Sequence, residues 1–254
     1  MKLILLTKRS LASIAFCALI GAAAAAMAIT STVKAVQTAA EPKEVPVYRV
    51  EAGKKQVAIS FDAAWGDEET PQLLEILDKY EVKATFFLVG DWVDKYPESV
   101  RALADAGNEV MNHSTSHAHF SKLSHNEIVR DVNLCSDKIE QITGVRPTLF
   151  RCPYGEYDDH VIQAVNSLGM TAVQWDVDSL DWKGISAEEI QRRVLDRVQP
   201  GSIVLFHNAA ENTPEALPGI LESLIANGYR IVPISQLLLQ GDCFIDNTGR
   251  QCRN

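Results

Sequence analysis

Short apolar segments with the character of β-strands alternate with longer amphipathic segments along most of this chain. Two of the amphipathic segments begin with capping boxes, Ser124 to Glu127 and Ser186 to Glu189, and Gly144 ends the first of them. Such an alternation predicts a parallel sheet with helices outside it, because a crossover between parallel strands has room for a helix. The predicted strands are residues 57–61, 84–89, 109–112, 148–151, 171–176, 202–206 and 230–234.

Residues that can carry chemistry recur at the ends of these predicted strands. They are Asp62, His113, Arg151, Asp178 and His207. In a β/α barrel the carboxyl ends of the strands form one face, and the active site lies there. An open, doubly wound sheet is the alternative arrangement for about seven strand–helix units. The repeated strand-end pattern favours the barrel and predicts a functional site at this edge.

The N-terminus has the pattern of a targeting segment. Lys2, Lys8 and Arg9 precede an uncharged, mostly apolar run over residues 11–29, and Ala26-Met27-Ala28 resembles a cleavage site. The run is also long enough to span a bilayer if it is not cut. Residues 1–29 are therefore predicted to be a signal peptide or a membrane anchor. Both alternatives place the rest of the chain outside the cytoplasm, either secreted or tethered to the membrane.

The remaining chain divides into three parts. Residues 30–50 lack a clear period and are predicted to be a linker, residues 51–240 the domain, and residues 241–254 a polar tail. Cys243 and Cys252 bracket this tail, and an exported chain allows a disulfide between them.

The charge of the chain excludes one class of partner. Beyond residue 40 there are 20 basic and 33 acidic residues, a net charge of −13. An acidic body repels phosphate backbones, so the sequence predicts no nucleic-acid partner. The length of 254 residues is enough for one large α/β domain with its own core.

The first candidate chemical group is a histidine pair. His113 and His117 are four residues apart, and on a helix they would share one face and could bind one divalent cation. A third ligand would have to come from elsewhere, and a pair of surface histidines is the alternative. Asp62 ends a predicted strand, where it could serve as a general base or as an ordinary turn carboxylate.

The second candidate group follows the later strands. Arg151 could hold a carboxylate in a bidentate pair, with Asp181 as a candidate partner, or form a surface ion pair. Trp182 offers an apolar face to a sugar, although it could also be core. His207 ends an apolar strand, where it is either structural or a general acid beside a metal.

In this order the motifs resemble the polysaccharide deacetylase family, also called the NodB-homology or carbohydrate esterase 4 domain. They are Phe61-Asp62, the His-x-x-x-His pair, Arg151-Cys-Pro-Tyr154, Asp178-x-x-Asp181-Trp182 and Leu205-x-His207. The resemblance covers about residues 55–240. The Phe-Asp-Ala-Ala-Trp-Gly segment is similar to that of sporulation-associated, membrane-tethered members.

The resemblance implies a deformed (β/α) barrel of about seven parallel strands. It implies a hydrolase that removes N-acetyl groups from a cell-wall glycan, most simply peptidoglycan, with a divalent metal, Zn²⁺ or alternatively Co²⁺. The roles it implies are Asp62 as base, His113 and His117 as metal ligands, Arg151 and Asp181 as support for the base, the Tyr154 N–H as oxyanion donor, His207 as acid, and Trp182 and Leu205 as the acetyl pocket.

The sequence departs from the family pattern at one position. The family has a second aspartate after the base, which binds the metal, and this chain has Ala63. Waters could complete the shell, or Asp67 or Glu68 could reach back to it. Two further functions remain as alternatives, an O-acetyl esterase acting on an acetylated polysaccharide and a wall-glycan-binding protein without turnover.

Overall fold

The computed structural model describes residues 43–254, and Glu44–Asn254 form one compact unit. The predicted signal or anchor segment and most of the predicted linker lie outside the described residues. Among the described residues, no helix combines the length and the apolar character needed to cross a membrane.

Eleven strands and eight α-helices make up the described part of the chain. The strands are β1 (Arg49–Val50), β2 (Gln56–Ala63), β3 (Thr85–Leu88), β4 (Glu109–Asn112), β5 (Leu149–Phe150), β6 (Thr171–Ala172), β7 (Val177–Asp178), β8 (Ile203–His207), β9 (Arg230–Ile231), β10 (Cys243–Ile245) and β11 (Arg250–Arg253). The helices are α1 (Thr70–Lys79), α2 (Gly90–Lys95), α3 (Pro97–Asp105), α4 (His125–Thr143), α5 (Asp159–Ser167), α6 (Ala187–Leu195), α7 (Thr213–Ala226) and α8 (Ile234–Leu237).

The main sheet is parallel and curls into an incomplete barrel. Its strand order is β6-β5-β4-β3-β2-β8-β7, and β9 pairs with the start of β2. The edge strands β6 and β7 are consecutive in sequence, so the sheet winds around and stays open between them. The prediction of a deformed barrel with about seven parallel strands is confirmed, and the open, doubly wound alternative is wrong.

The central strand β2 is buried on both faces, as expected for a parallel strand covered by helices. Its odd-numbered residues, Val57 to Ala63, pack in the hydrophobic cluster that also contains helix residues such as Leu73 and Leu217. Ala58 packs in a second cluster with Phe87 and Ile203. Ser60 and Asp62 follow on the same face as Ala58, because side chains alternate along a strand. This alternation turns Asp62 toward the barrel interior.

A small second sheet joins the two ends of the described chain. Its order is β1-β11-β10, so residues 49–50 pair with the C-terminal hairpin. Val47 also forms a bridge with Val173, just after the edge strand β6. Residues predicted as the end of the linker and as a tail therefore pack onto the folded unit.

The two tail cysteines are not joined, and the register of the hairpin explains this. Cys243 lies opposite Arg253, whereas Cys252 lies opposite Phe244. Neighbouring register positions on antiparallel strands place their side chains on opposite faces, so the two sulfurs face apart. Both thiols are free, so the disulfide that an exported chain would allow is not formed.

Candidate active site

The predicted residues meet at the carboxyl edge of the barrel, as expected. Asp62 and His207 lie side by side near the ends of β2 and β8, while His113 and Arg151 directly follow β4 and β5. A cavity of about 500 Å³ opens at this edge. Its lining is Asp62, Ala64, Trp65, His113, His117, Tyr154, Gly155, Trp175, Asp178, Trp182, Leu205 and His207.

Asp62 and Arg151 form a buried ion pair beneath the cavity. Arg151 Nη1 donates to Asp62 Oδ1 at 2.7 Å, and the arginine side chain is fully buried. Burial alone would raise the pKa of Asp62, but the charge and hydrogen bond of Arg151 outweigh it and hold this pKa below its usual value. Asp62 is therefore an ionised carboxylate, with its second oxygen left for another partner.

The arginine is fixed by its remaining contacts. Arg151 Nη2 donates to Ser60 Oγ at 2.9 Å and to the Gln174 carbonyl at 3.1 Å. The guanidinium carbon also lies 4.1 Å from the centre of the Phe87 ring. These contacts hold the guanidinium group in one orientation, so Arg151 positions Asp62 and does not contact a ligand itself. We call Ser60, Asp62, His113 and Arg151 the polar floor.

His207 is held by a second carboxylate. Asp181 Oδ1 lies 2.8 Å from His207 Nδ1, and Asp181 Oδ2 accepts from the His207 backbone N–H and from Thr213 Oγ1. Burial lowers the pKa of His207, but the hydrogen bond and charge of Asp181 outweigh it, so this pKa is raised. His207, which lines the cavity, is thereby suited to carry a proton at its other ring nitrogen.

The prediction that Asp181 would pair with Arg151 and support the base is wrong. Strand β7 pairs with β8, so the turn that follows β7 brings Asp181 to His207. Arg151 follows β5, and its side chain reaches across the interior to β2. The strand order thus gives each carboxylate a different partner: Asp181 holds His207, and Asp62 is held by Arg151.

His113 and His117 come together on a loop and not on a helix. Their ring centres are 5.0 Å apart, although residues 113–119 are neither helix nor strand. Ser114 and His117 have positive φ angles of 73° and 56°. The Ser114 hydroxyl accepts from the His117 backbone N–H at 2.9 Å, which closes the turn. The spacing of four was a correct signal for proximity, but a helical face is not its cause.

The tautomer of His113 is fixed by a hydrogen bond. Its Nδ1 lies 2.8 Å from the Arg151 carbonyl oxygen, which can only accept, so Nδ1 carries the proton. Burial lowers the pKa of His113, so the ring is neutral, and its unprotonated Nε2 lies 3.4 Å from Asp62 Oδ2, another atom with a lone pair. Two such atoms repel unless a cation lies near both. Burial and the nearby His113 also lower the pKa of His117 to about 4, which leaves that ring neutral as metal binding requires.

The donor set thus fits a divalent cation, with fewer dedicated ligands than the three that catalytic zinc sites usually have. Within residues 43–254, no group of three histidine, cysteine or carboxylate side chains has the arrangement of a metal site. Ala63 is fully buried, and its side chain supplies no oxygen. The alternative ligands do not compensate, since Asp67 accepts a hydrogen bond from Ser99 and neither Asp67 nor Glu68 lines the cavity.

Exposed aromatic side chains surround the opening. Trp65, Tyr154 and Trp182 are 46%, 60% and 53% exposed, and all three line the cavity; we call them the aromatic rim. Tyr154 has a positive φ of 59° and its ring stacks on His119, with ring centres 4.5 Å apart. Leu205 and Trp182 both lie in the wall, where the acetyl pocket was predicted.

Two wall residues escaped the sequence reasoning. Trp65 lies in the segment that resembled sporulation-associated proteins, and it was given no role of its own. Trp175 follows β6, in a stretch predicted to be one strand over residues 171–176. The strand ends at Ala172, and beyond it the backbone has other partners, since the Gln174 N–H donates to the Val47 carbonyl and the Asp176 N–H to the Ile203 carbonyl. The two tryptophans could have been identified from the sequence as wall residues, because large aromatic residues beside strand ends often line pockets.

Comparisons with known proteins agree with this geometry. Residues 49–173 match the family model described as polysaccharide deacetylase. The chain is 37% identical to the peptidoglycan-N-acetylmuramic acid deacetylase PdaC of Bacillus subtilis, over 77% of this chain and 41% of that protein. It is 33% identical to a peptidoglycan-N-acetylglucosamine deacetylase of Bacillus cereus, over 72% of this chain and 68% of the relative. The chain spans 60% of the length of another Bacillus subtilis relative, to which it is 34% identical.

A solved structure with a similar fold is described as that of a CE4 family pseudoenzyme from Bacillus anthracis. It superposes with a TM-score of 0.73 at 36% identity, covering 76% of this chain and 68% of that one. A mutant of the same protein is described as having restored enzymatic activity. With the family model, the relatives and the curled barrel in agreement, this chain belongs to the polysaccharide deacetylase family.

Proposed function

We propose that this domain is a hydrolase that removes N-acetyl groups from a cell-wall glycan, with the N-acetylated sugars of peptidoglycan as substrate. One observation carries the proposal. An ionised carboxylate held by an arginine and an imidazole held by a second carboxylate face the same cavity from adjacent strands. Hydrolysis of an amide needs such a pair, a base for the attacking water and an acid for the leaving amine.

Asp62 is the base in this proposal. Its Oδ1 is occupied by Arg151, which leaves Oδ2 to accept a proton from water in the cavity. Arg151 keeps the carboxylate ionised and fixes its direction, so little reorganisation is needed when the proton moves. Because the pair is almost fully buried, the attacking water is activated away from bulk solvent.

His207 is the acid and Tyr154 supplies an oxyanion donor. Asp181 holds Nδ1 of His207, so Nε2 is the atom that gives its proton to the departing nitrogen. Tyr154 is the second residue of a short 3₁₀ turn over Pro153–Gly155, in which the N–H groups of Gly155 and Glu156 donate to the carbonyls of Cys152 and Pro153. The N–H of Tyr154 lies in the first part of the turn, where backbone N–H groups are not used by the turn itself. That N–H can therefore stabilise the developing negative charge on the carbonyl oxygen.

His113 and His117 would hold a divalent cation, proposed to be Zn²⁺ with Co²⁺ as the alternative. When bound, such a cation polarises the acetyl carbonyl and acidifies water. The methyl group of the acetyl would lie against Leu205 and Trp182, which provide an apolar wall.

The substrate class is supported by the relatives, whose names specify peptidoglycan N-acetylmuramic acid and N-acetylglucosamine. An extracytoplasmic location fits such a substrate. It is proposed from the basic residues and apolar run of the first 29 residues, which either anchor the chain or direct its secretion.

Acetate release tests the proposal. Purified protein is incubated with peptidoglycan, with N-acetylglucosamine oligomers and with an acetylated xylan, each with and without added Zn²⁺ or Co²⁺. We expect release from the N-acetylated glycans that rises with the metal. Release from acetylated xylan alone would support an O-acetyl esterase and overturn the substrate assignment.

A second candidate function has its own support. The absence of an oxygen ligand at Ala63, together with the similarity to a pseudoenzyme, favours a glycan-binding protein without turnover. Under that alternative the unmodified protein binds peptidoglycan but releases no acetate with any metal. Ala63→Asp would then introduce activity. Turnover by the unmodified protein rejects this alternative.

A further inference from the structure

Trp65 is the member of the aromatic rim that contacts the proposed acid. Its ring centre lies 5.2 Å from that of His207, with 30° between the two ring planes. One side of the His207 ring is thus covered by the indole, while Asp181 holds the ring through Nδ1. A cationic imidazole beside an indole face is favourable, because the ring quadrupole attracts the charge.

The turn that carries Trp65 is held firmly. The carbonyl of Gly66 accepts from Trp92 Nε1 at 2.6 Å and from Asn208 Nδ2 at 3.0 Å. Gly66 has a φ of +50°, and a Cβ there would lie 3.0 Å from the Ala209 side chain. Asn208 directly follows His207, so one residue ties this turn to the strand that carries the acid. The backbone that carries the indole therefore has a fixed place relative to His207.

The remaining surface of Trp65 is open to the cavity. Nearly half of the side chain is exposed, although a residue of this size is mostly buried in soluble proteins. Trp182 is exposed at the same opening. Rigid, exposed aromatic faces at a pocket mouth suit the apolar face of a pyranose ring, since they offer a large contact area with little conformational freedom to lose.

We propose that Trp65 is a positioning residue: its indole is the platform for the sugar ring that bears the acetamido group, and it places the amide nitrogen before His207. This inference rests on the proposed glycan substrate but assigns a residue to its recognition. It predicts that substitution of Trp65 weakens the binding of glycans more than the binding of substrates that lack a sugar ring.

Two measurements test the platform. The first is calorimetric binding of the β-1,4 tetramer of N-acetylglucosamine to the unmodified protein, Trp65→Ala and Trp65→Phe. We expect Trp65→Ala to weaken binding about tenfold, while the smaller aromatic ring of Trp65→Phe restores most of the affinity. Phe244→Ala is the matched control, because Phe244 is equally exposed, at 47%, but lies on the C-terminal hairpin.

The second measurement compares substrates. With Trp65→Ala, KM for the tetramer should rise more than KM for 4-nitrophenyl acetate, which has no sugar ring. Equal losses on both substrates, or tetramer binding that does not depend on Trp65, would overturn the proposal. The binding arm also separates it from the proposed function: if the protein binds the tetramer through Trp65 but releases no acetate, the platform stands and the hydrolase does not.

Discussion

The polar floor and the aromatic rim border the same cavity but are built in opposite ways. Arg151 and His113 in the floor are 0% and 2% exposed, and every charge there faces a partner. Trp65, Tyr154 and Trp182 in the rim are about half exposed and present apolar faces to solvent. The side chains of the polar floor are therefore held by contacts inside the fold, whereas the residues of the aromatic rim lie on turns at the surface.

This difference separates two kinds of mutational effect. A change in the floor leaves a buried charge without its partner, which is costly both for stability and for chemistry. A change in the rim removes a side chain that is about half exposed to solvent, so the fold should tolerate it. The following predictions test that separation, beginning with the largest expected effect.

Asp62→Asn should lower acetate release by about 10²–10⁴-fold, the usual contribution of a positioned base. The same change leaves the buried Arg151 charge without a counter-ion, which should cost about 3–5 kcal/mol of unfolding free energy. Acetate assays and thermal melts measure the two effects. Asp178→Asn is the control, since Asp178 lines the cavity but holds the Leu180 backbone N–H and not an arginine. Equal losses of activity and of stability in the two variants would mean that the polar floor is no more sensitive to substitution than the rest of the cavity lining.

His117→Ala should weaken Zn²⁺ binding by at least about 10–100-fold, which is the loss seen when even supporting residues of metal sites are changed. A chelator competition assay measures it without relying on activity. His119→Ala is the matched control, because His119 is two residues away and its Nδ1 pairs with Glu156. If both variants retain metal equally, these loop histidines are not its ligands.

Asp181→Asn should move the alkaline limit of activity to lower pH. Burial lowers the pKa of His207 and Asp181 more than offsets this, so removing the charge leaves burial dominant and the acid loses its proton earlier. The stability that this pair contributes is full below the unfolded pKa of about 6.5 and is lost as pH rises through the raised folded pKa. Rate–pH profiles on an N-acetyl glycan provide the measurement, and an unshifted profile would mean that His207 is not the acid.

Trp182→Ala should have the smallest effect, a rise in KM for the glycan of about three- to tenfold with the melting temperature nearly unchanged. The side chain is half exposed, so little packing is lost. Steady-state kinetics and a thermal melt are sufficient. A large fall in melting temperature would show that the rim is structural, and the contrast with the floor would then fail.

The sequence predicted the barrel and the edge on which its site lies. The alternation of strands and capped helices is a local property, and parallel strands necessarily gather their carboxyl ends on one side. Asp62, His113, Arg151 and His207 could therefore be assigned to one site before their contacts were known. The boundaries of α4, with its capping box at Ser124 and Gly144 at its end, were also local information.

Partner choice was decided only by the tertiary structure. Whether Arg151 meets Asp62 or Asp181 depends on which strands are neighbours, and no local pattern contains the order β5-β4-β3-β2-β8-β7. The hairpin register likewise decided that Cys243 and Cys252 stay apart, and the turn at Gly66 decided that Trp65 covers His207. Residue types and spacing specify which groups are available, but contacts between distant segments follow from how the strands pack together.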